Sequence, residues 1–384
     1  MVMSSSLHKP LIEWVGFFNS TGYGQATASN VLALHNSGKY RLRIRCLHSK
    51  PDRQSFTPDV FRTLCSLSEI PESSNAIQVL QCTPPFFHKI NLLSRKIAFG
   101  AFETFDPPSD WVTVYNRCDA LLCPSEFNRE HFVKAGVMRP SFTLPHVLDL
   151  NIWNDQAKPL DRFPEFTFLF LGTWRKRKGW EALLEAWMSE FSIEDRVRLI
   201  IKTDKADKAE GDAKIVKSHL GKKEIAPITF ERSIFDDRQM ASLIKSADCM
   251  VCPTLGEGFG LPGLQSMAVR VPLIVTNFSG CQEYAKPELC TLLEPSGFMI
   301  LDSLDPIPQF SQKKWPRIKV SSIREAMRQV LSKYEEAQQK ADKAYAFSHA
   351  GFGYSNFVQR FEKVMETLYR GGRSKNQSSE WVPG

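Results

Sequence analysis

Short apolar runs alternate along this chain with longer amphipathic stretches, and the alternation comes in two series. The first comprises IEWVGFF near 12–18, YRLRIRCL near 40–47, AIQVLQC, RKIAFGAF and DALLCPS near 119–125. Helical patterns such as GQATASNVLALHNSG separate several of these runs. Continuous apolar runs read as strands buried on both faces, and intervening helices make the sheet parallel. The second series starts with FTFLFLG at 166–172 and continues through RVRLIIK, APITFE, DCMVCPT, VPLIVT and CTLLEP. Between them, LDLNIWNDQAKPLDRFPE at 148–165 is polar and carries two prolines, so it reads as an interdomain linker. A last helix near 355–370 puts Phe357, Phe361, Val364 and Leu368 on one stripe. The lysine- and aspartate-rich stretch 202–223 reads as a solvated excursion with a helix in it, and 302–317 as a proline-interrupted loop. The expected organisation is an α/β protein with an N-terminal domain over 1–155 and a C-terminal domain over 156–350, followed by a helix over 351–370 and a flexible tail over 371–384.

Composition narrows the class. At 384 residues and 42% hydrophobic, the chain can bury two cores of ordinary size. No run of about 18 apolar residues occurs, and MVMSSSLHKP lacks an apolar stretch of signal-peptide length, so a cytoplasmic protein is expected. Nine cysteines are scattered, mostly in apolar runs, as reduced core thiols would be. Cys249 and Cys252 have CxxC spacing on a predicted strand, without a second pair or a nearby histidine, which favours packing over zinc. Eight dispersed histidines and the absence of HxH, HExxH or Asp-x-Asp patterns argue against a metal site. A net charge of +7 favours an anionic partner: a nucleotide, a nucleic acid or an acidic membrane surface. The densest basic run, Arg175 to Lys178, is short and not interleaved with aromatics, so it is no nucleic-acid platform.

Candidate chemistry concentrates in EGFGLPGLQ, Glu257 to Gln265, set between a strand and a helix. Gly258 and Gly260 let backbone amides approach a ligand, and Pro262 suits the first turn of a helix whose free N–H groups attract oxygen anions. In open parallel sheets ligands bind at this edge. The loop LGTWRKRKG supplies cations at another strand end, either as a solvated face or as a phosphate grip. Near the N-terminus, Gly22 and Gly24 flank Tyr23 between the first strand and first helix, either approaching an anion or making a tight packing turn. Ser125 in PSEFN reads as a helix N-cap.

These motifs resemble the retaining glycosyltransferases of family 4, whose GT-B fold faces two Rossmann-like domains across a cleft. The signature there is two glutamates eight positions apart around a GFG turn; Glu257 matches the first, and Gln265 stands in place of the second. The resemblance implies that Glu257 contacts donor-sugar hydroxyls with the amides of Gly258, Phe259, Gly260 and Leu261. It implies that Gln265 lies at the nucleotide ribose, and that Arg177 and Lys178 grip the donor phosphates, Arg175 sharing or replacing Arg177. The glycine loop with Gly22, Tyr23 and Gly24 would help close the site. Glu103, in AFETFDPPSDW, would face the cleft, orienting the acceptor or stabilising positive charge on the sugar; a strand-end carboxylate paired with a nearby base is the alternative. Lys202 stands at a strand end where the family often has a lysine and Ser233 would lie by the nucleotide base, the alternative for either being a plain surface position, and Glu283 would lie near the site or cap a helix. The resemblance implies a C-terminal helix returning to the N-terminal domain and transfer of a hexose, without cofactor or metal, from a nucleoside-diphosphate sugar to a glycan, lipid or small-molecule hydroxyl. Gln265 motivates the alternative of a non-catalytic binding scaffold. No nucleic-acid partner is expected, and peripheral membrane contact stays open.

Overall fold

The apolar runs of the first half become strands of one sheet: β1 (Leu11–Gly16), β2 (Arg41–Cys46), β3 (Ile77–Gln81), β4 (Lys96–Phe99), β5 (Ala120–Cys123) and β6 (Ser141–Thr143). All pairings are parallel, in the order β2-β1-β3-β4-β5-β6. The connections carry α1 (Gly22–Ser37), α2 (Pro58–Glu69), α3 (Ser109–Tyr115) and α4 (Glu126–Lys134). The computed structural model describes residues 9–48, 50–160, 162–221, 224–301 and 308–370. The tail expected over 371–384 and part of the 302–317 loop therefore lie outside the described residues.

The second series folds likewise into β7 (Phe166–Leu171), β8 (Val197–Lys202), β9 (Ile228–Glu231), β10 (Cys249–Cys252), β11 (Leu273–Thr276) and β12 (Thr291–Leu293). Their order is β12-β11-β10-β7-β8-β9, again parallel. Sequence order reverses between β7 and β10, where Phe168 pairs with Cys249 and Leu169 with Met250. A crevice opens at the carboxyl ends of the strands at such a switch point. Helices α5 (Trp180–Glu190), α6 (Ala206–His219), α7 (Asp237–Ser246) and α8 (Leu261–Ala268) cover the two faces. Cys249 packs in the core on one face while Cys252 packs against the core on the other, so the CxxC pair straddles the strand instead of pinching a metal.

The 302–317 stretch is not wholly loop. β13 (Phe298–Leu301) pairs antiparallel with β14 (Lys313–Pro316), Met299 opposite Trp315. Its local pattern is weak because its partners are distant: Trp315 is fully buried with Phe102, Trp111 and Phe310 in the N-terminal domain's core, and the Lys314 carbonyl accepts from the Thr104 hydroxyl. Two long helices follow, α9 (Val320–Ser332) and α10 (Tyr334–Gly351), and then α11 (Tyr354–Met365).

Helix α11 lays its apolar stripe on the N-terminal domain, with the rings of Phe357 and Phe361 at 6.2 and 6.0 Å from Trp14. Both chain crossings between the domains meet at one point, where Leu148 bridges Gly353 and the Leu148 N–H donates to the Phe352 carbonyl at 2.9 Å. The linker is anchored as well as polar: Trp153 is buried among C-terminal core residues such as Met267 and Val269. Removing a buried ring leaves a cavity the surroundings fill only in part. Phe361→Ala is therefore expected to lower N-terminal domain stability by about 3–5 kcal/mol in denaturant unfolding.

Candidate active site at the domain interface

The basic loop begins where β7 ends. Trp174 anchors it: its backbone N–H donates to Asp204 Oδ1 at 2.7 Å, its indole to Asp212 Oδ2 at 2.8 Å, and its ring stacks on Trp180 at 4.4 Å. The chain then makes a 3-10 turn, Lys176–Lys178, ended by Gly179 at φ 74°. A side chain at Gly179 would collide with the Pro253 carbonyl, so this glycine is required both by its left-handed backbone and by close approach. The turn is stitched to the segment after β10: the Arg177 carbonyl accepts from Leu255 N–H at 2.7 Å and from the Thr254 hydroxyl at 3.2 Å. Arg177 is buried and points inward, whereas Arg175 is half-exposed and closes the turn through its carbonyl.

Glu257 stands on the facing turn between two cations. Lys178 Nζ donates to its Oε1 at 2.6 Å and Arg177 to its Oε2 at 3.2 Å, while the Thr254 hydroxyl adds a third contact at 3.1 Å. Burial pushes the Glu257 carboxyl up, but Lys178 and then Arg177 outweigh it and hold the group below the usual carboxylate value. Its backbone is fixed too, the N–H donating to Ser279 Oγ at 2.9 Å and the carbonyl accepting from Gly280 N–H at 2.9 Å. Gly260, at φ 87°, starts α8, and its carbonyl takes the Tyr284 hydroxyl at 2.6 Å. A small cavity of about 20 Å³ lies here, lined by Lys178, Thr254, Glu257, Pro262 and Tyr284 among others. Gln265 is buried one turn into α8.

The N-terminal domain closes over this turn. Glu103 Oε1 meets Arg177 at 3.4 Å, so the base that pairs with this strand-end carboxylate belongs to the other domain. Burial raises the Glu103 carboxyl, Arg177 opposes, and the Glu257 charge adds to the rise. The backbones touch: a Cβ on Gly256 would run into the Glu103 carbonyl, and one on Gly258 would stand 2.7 Å from Ala101 Cβ. Ser125 caps α4, accepting from Asn128 N–H at 3.3 Å, and also donates to the Gly258 carbonyl at 3.1 Å. Glu283 accepts the N–H of Glu126 at the start of the same helix, so the capping is done across the interface.

Other expected residues are more dispersed. The Tyr23 hydroxyl lies 3.5 Å from the Phe99 carbonyl, and burial, with Cys82 and then Glu103 adding, holds the phenol well above its ordinary value. A Cβ on Gly24 would collide with Asn19, which makes that glycine a packing requirement, while Gly22 has open space around it. Lys202 lies on the same sheet rim as the basic loop, opposite Leu171, buried and 5.5 Å over the Phe235 ring; burial lowers its ammonium against the pull of Glu231 and Asp204. Ser233 is exposed beyond β9, its N–H donating to Glu231 at 2.6 Å.

His146 carries no motif, yet its ring sits 5.3 Å from both Phe99 and Phe259, joining the N-terminal sheet to the GFG turn. Burial lowers it to about 3, so it is neutral at physiological pH, with Asn30 Nδ2 3.3 Å from its Nδ1. Among the described residues no three His, Cys, Asp or Glu side chains group where they could hold a metal ion. No helix among them is long and apolar enough to cross a membrane.

Two parallel α/β sheets facing across a cleft, with a terminal helix returning to the first, define the GT-B fold. Solved structures of that architecture superpose on nearly the whole chain. Sucrose-phosphate synthase from Thermosynechococcus elongatus has a TM-score of 0.66 at 14% identity, covering 94% of this chain and 100% of that one. HepE from Anabaena, solved with UDP and glucose, gives 0.64 at 12% identity, with the same 94% and 100% coverage. A glycosyltransferase from Rickettsia africae gives 0.67 at 12%, covering 96% and 100%. Residues 165–301, which contain the basic loop and the Glu257 turn, match the family model described as Glycosyl transferases group 1. Over 170 residues the chain is 27% identical to the GDP-mannose:cellobiosyl-diphosphopolyprenol alpha-mannosyltransferase of Xanthomonas campestris, a stretch that spans 43% of each protein. Together these matches show the GT-B fold over nearly the whole chain and, over residues 165–301, a likeness to group 1 glycosyl transferases.

Glu257 generates a pH dependence whose sign follows from its lowered value. The stability from its pairing is complete above the ordinary carboxylate value of 4.5 and is lost as pH falls through the lower folded value. Acid titration of stability should therefore fall more steeply below pH 4.5 in the wild type than in Glu257→Gln, measured by thermal unfolding across pH.

Proposed function

We propose that the chain is a retaining, metal-independent hexosyltransferase that moves a hexose from a nucleoside-diphosphate sugar to a hydroxyl acceptor. The observation that carries this reading is the Glu257 carboxylate held by Lys178 and Arg177 at the switch point of the C-terminal sheet. Fixed cations at that edge stabilise negative charge as it develops on a departing diphosphate, the work a divalent ion does in other sites. Glu257 and the amides of Gly258 to Leu261 then hold the hexose hydroxyls, with the ribose at Gln265.

In the reaction the acceptor oxygen bonds to the anomeric carbon on the face from which the diphosphate leaves. The bond from that carbon to the phosphate oxygen breaks, and the leaving phosphate takes the acceptor proton. No protein nucleophile enters this sequence. Glu103 lies across the cleft from Glu257, where its carboxyl orients the acceptor or offsets positive charge on the sugar ring. The donor is a substrate, so no cofactor is needed. We place the protein in the cytoplasm; the polyprenol-linked acceptor named for the Xanthomonas relative makes a lipid-linked saccharide the first acceptor to try, reached by peripheral contact with a membrane.

Turnover of UDP-glucose and GDP-mannose by the purified protein tests the reading. Glu257→Ala and Lys178→Ala should each lower kcat by about 10²–10³, and undiminished turnover in both would overturn the assignment. Stabilisation by a nucleotide sugar without transfer to any acceptor would indicate a binding scaffold instead. A carboxylate accepts two ribose hydroxyls better than an amide does, so Gln265→Glu should tighten nucleotide binding or raise turnover. No change in either would remove the ribose role.

A further inference from the structure

Asn128 is fully buried in the first turn of α4, and its side chain reaches beyond the capping of that helix. Its Oδ1 accepts the N–H of Phe102, the residue before Glu103. Its Nδ2 donates to the carbonyl of Gly258, the residue after Glu257, at 3.0 Å and to Ser125 Oγ at 2.6 Å. We propose that Asn128 is a positioning residue whose side-chain amide sets the register in which the Glu257 turn of one domain meets the Glu103 strand end of the other. The catalytic consequence rests on the transferase reading; the geometric one does not.

The chemistry selects this side chain. One end must accept from an N–H and the other must donate to a carbonyl, which an amide does and a carboxylate or hydrocarbon does not. Both hydrogens of Nδ2 and the Oδ1 acceptor are used, so the amide has one orientation, and a buried group so satisfied is costly to displace. Ser125 reinforces it by donating to the same Gly258 carbonyl at 3.1 Å. The backbones it ties are already in contact, with Gly258 against Ala101 and Gly256 against Glu103, so a shift of the bridge moves both carboxylates relative to Arg177. When the cleft opens, these bonds must break; when it closes, they re-form only in one register.

Asn128→Asp tests this while keeping the size of the side chain and its contact with Phe102. The carboxylate still accepts from Phe102 N–H and is favourable in the first turn of a helix, but it faces the Gly258 carbonyl with no proton to donate. We expect a lower Tm, because the buried carboxylate faces the Gly258 carbonyl unpaired, and a more extended particle in small-angle X-ray scattering. Misplacing reacting groups by about 1 Å costs rate more than binding, so kcat should fall about 100-fold with donor KM within about threefold. A scattering profile identical to the wild type overturns the proposal, as does an expanded particle with undiminished kcat. A donor KM that rises in step with the loss of kcat overturns it too, because the residue would then act on the donor site itself and not on the register between the domains. If the wild type turns over no nucleotide sugar, the transferase reading fails alone, and scattering decides the register claim.

Discussion

A buried guanidinium cannot be left unpaired, and Arg177 satisfies that demand with groups from both domains. It donates to the Gly256 carbonyl at 2.7 Å, pairs with Glu257 on its own domain and reaches Glu103 on the other. Much of the surrounding structure follows. The basic turn must lie flat on the segment after β10, which requires a left-handed, side-chain-free Gly179 against Pro253. Lys178 comes with it onto the same carboxylate, and Thr254 bonds both the Arg177 carbonyl and Glu257. The two acids feel the cluster differently because burial weighs differently against their partners: Glu257, with two close cations, is held low, and Glu103, with one more distant, is raised.

The same cluster explains why the two domains meet in one way. Gly256 lies against the Glu103 carbonyl and Gly258 against the Ala101 methyl, close approaches that a side chain at either glycine would block. Polar bridges from Ser125, Asn128 and Glu283 are directional, whereas the rings of Phe105, Phe127, Phe278 and Phe298, at 5.2–5.8 Å from one another, add non-directional burial. The crossings at Leu148 and Gly353 are joined by one bridge, and Trp315, buried in the N-terminal core, ties the domains together a second time.

Most strands and the motifs were legible along the chain because they rest on local signals. Fully buried parallel strands are apolar throughout, and left-handed or close-approach positions call for glycine, as at Gly179 and Gly260. Legibility ended where the partner was remote. β14 looked like a proline-broken loop because Trp315 finds its surroundings in the N-terminal core, and Glu103 read equally as cleft acid or paired base until Arg177 appeared beside it from the other domain. His146 gave no signal, since a single histidine after a strand is as compatible with ordinary packing as with contact to Phe259. Gly22 and Gly24 looked alike in sequence, and only the backbone around Asn19 separates them.

By itself the sequence determined two parallel α/β sheets, the glycine-governed turns that end their strands, and the acid and cations those turns carry, because each depends on residues adjacent in the chain. The tertiary structure decided which charges meet, which acid is held low and which raised, and how α4 locks the Glu257 turn. Those outcomes depend on desolvation and on hydrogen-bond geometry between residues as far apart as Asn128 and Gly258, and pairings across an interface leave no periodicity in either partner.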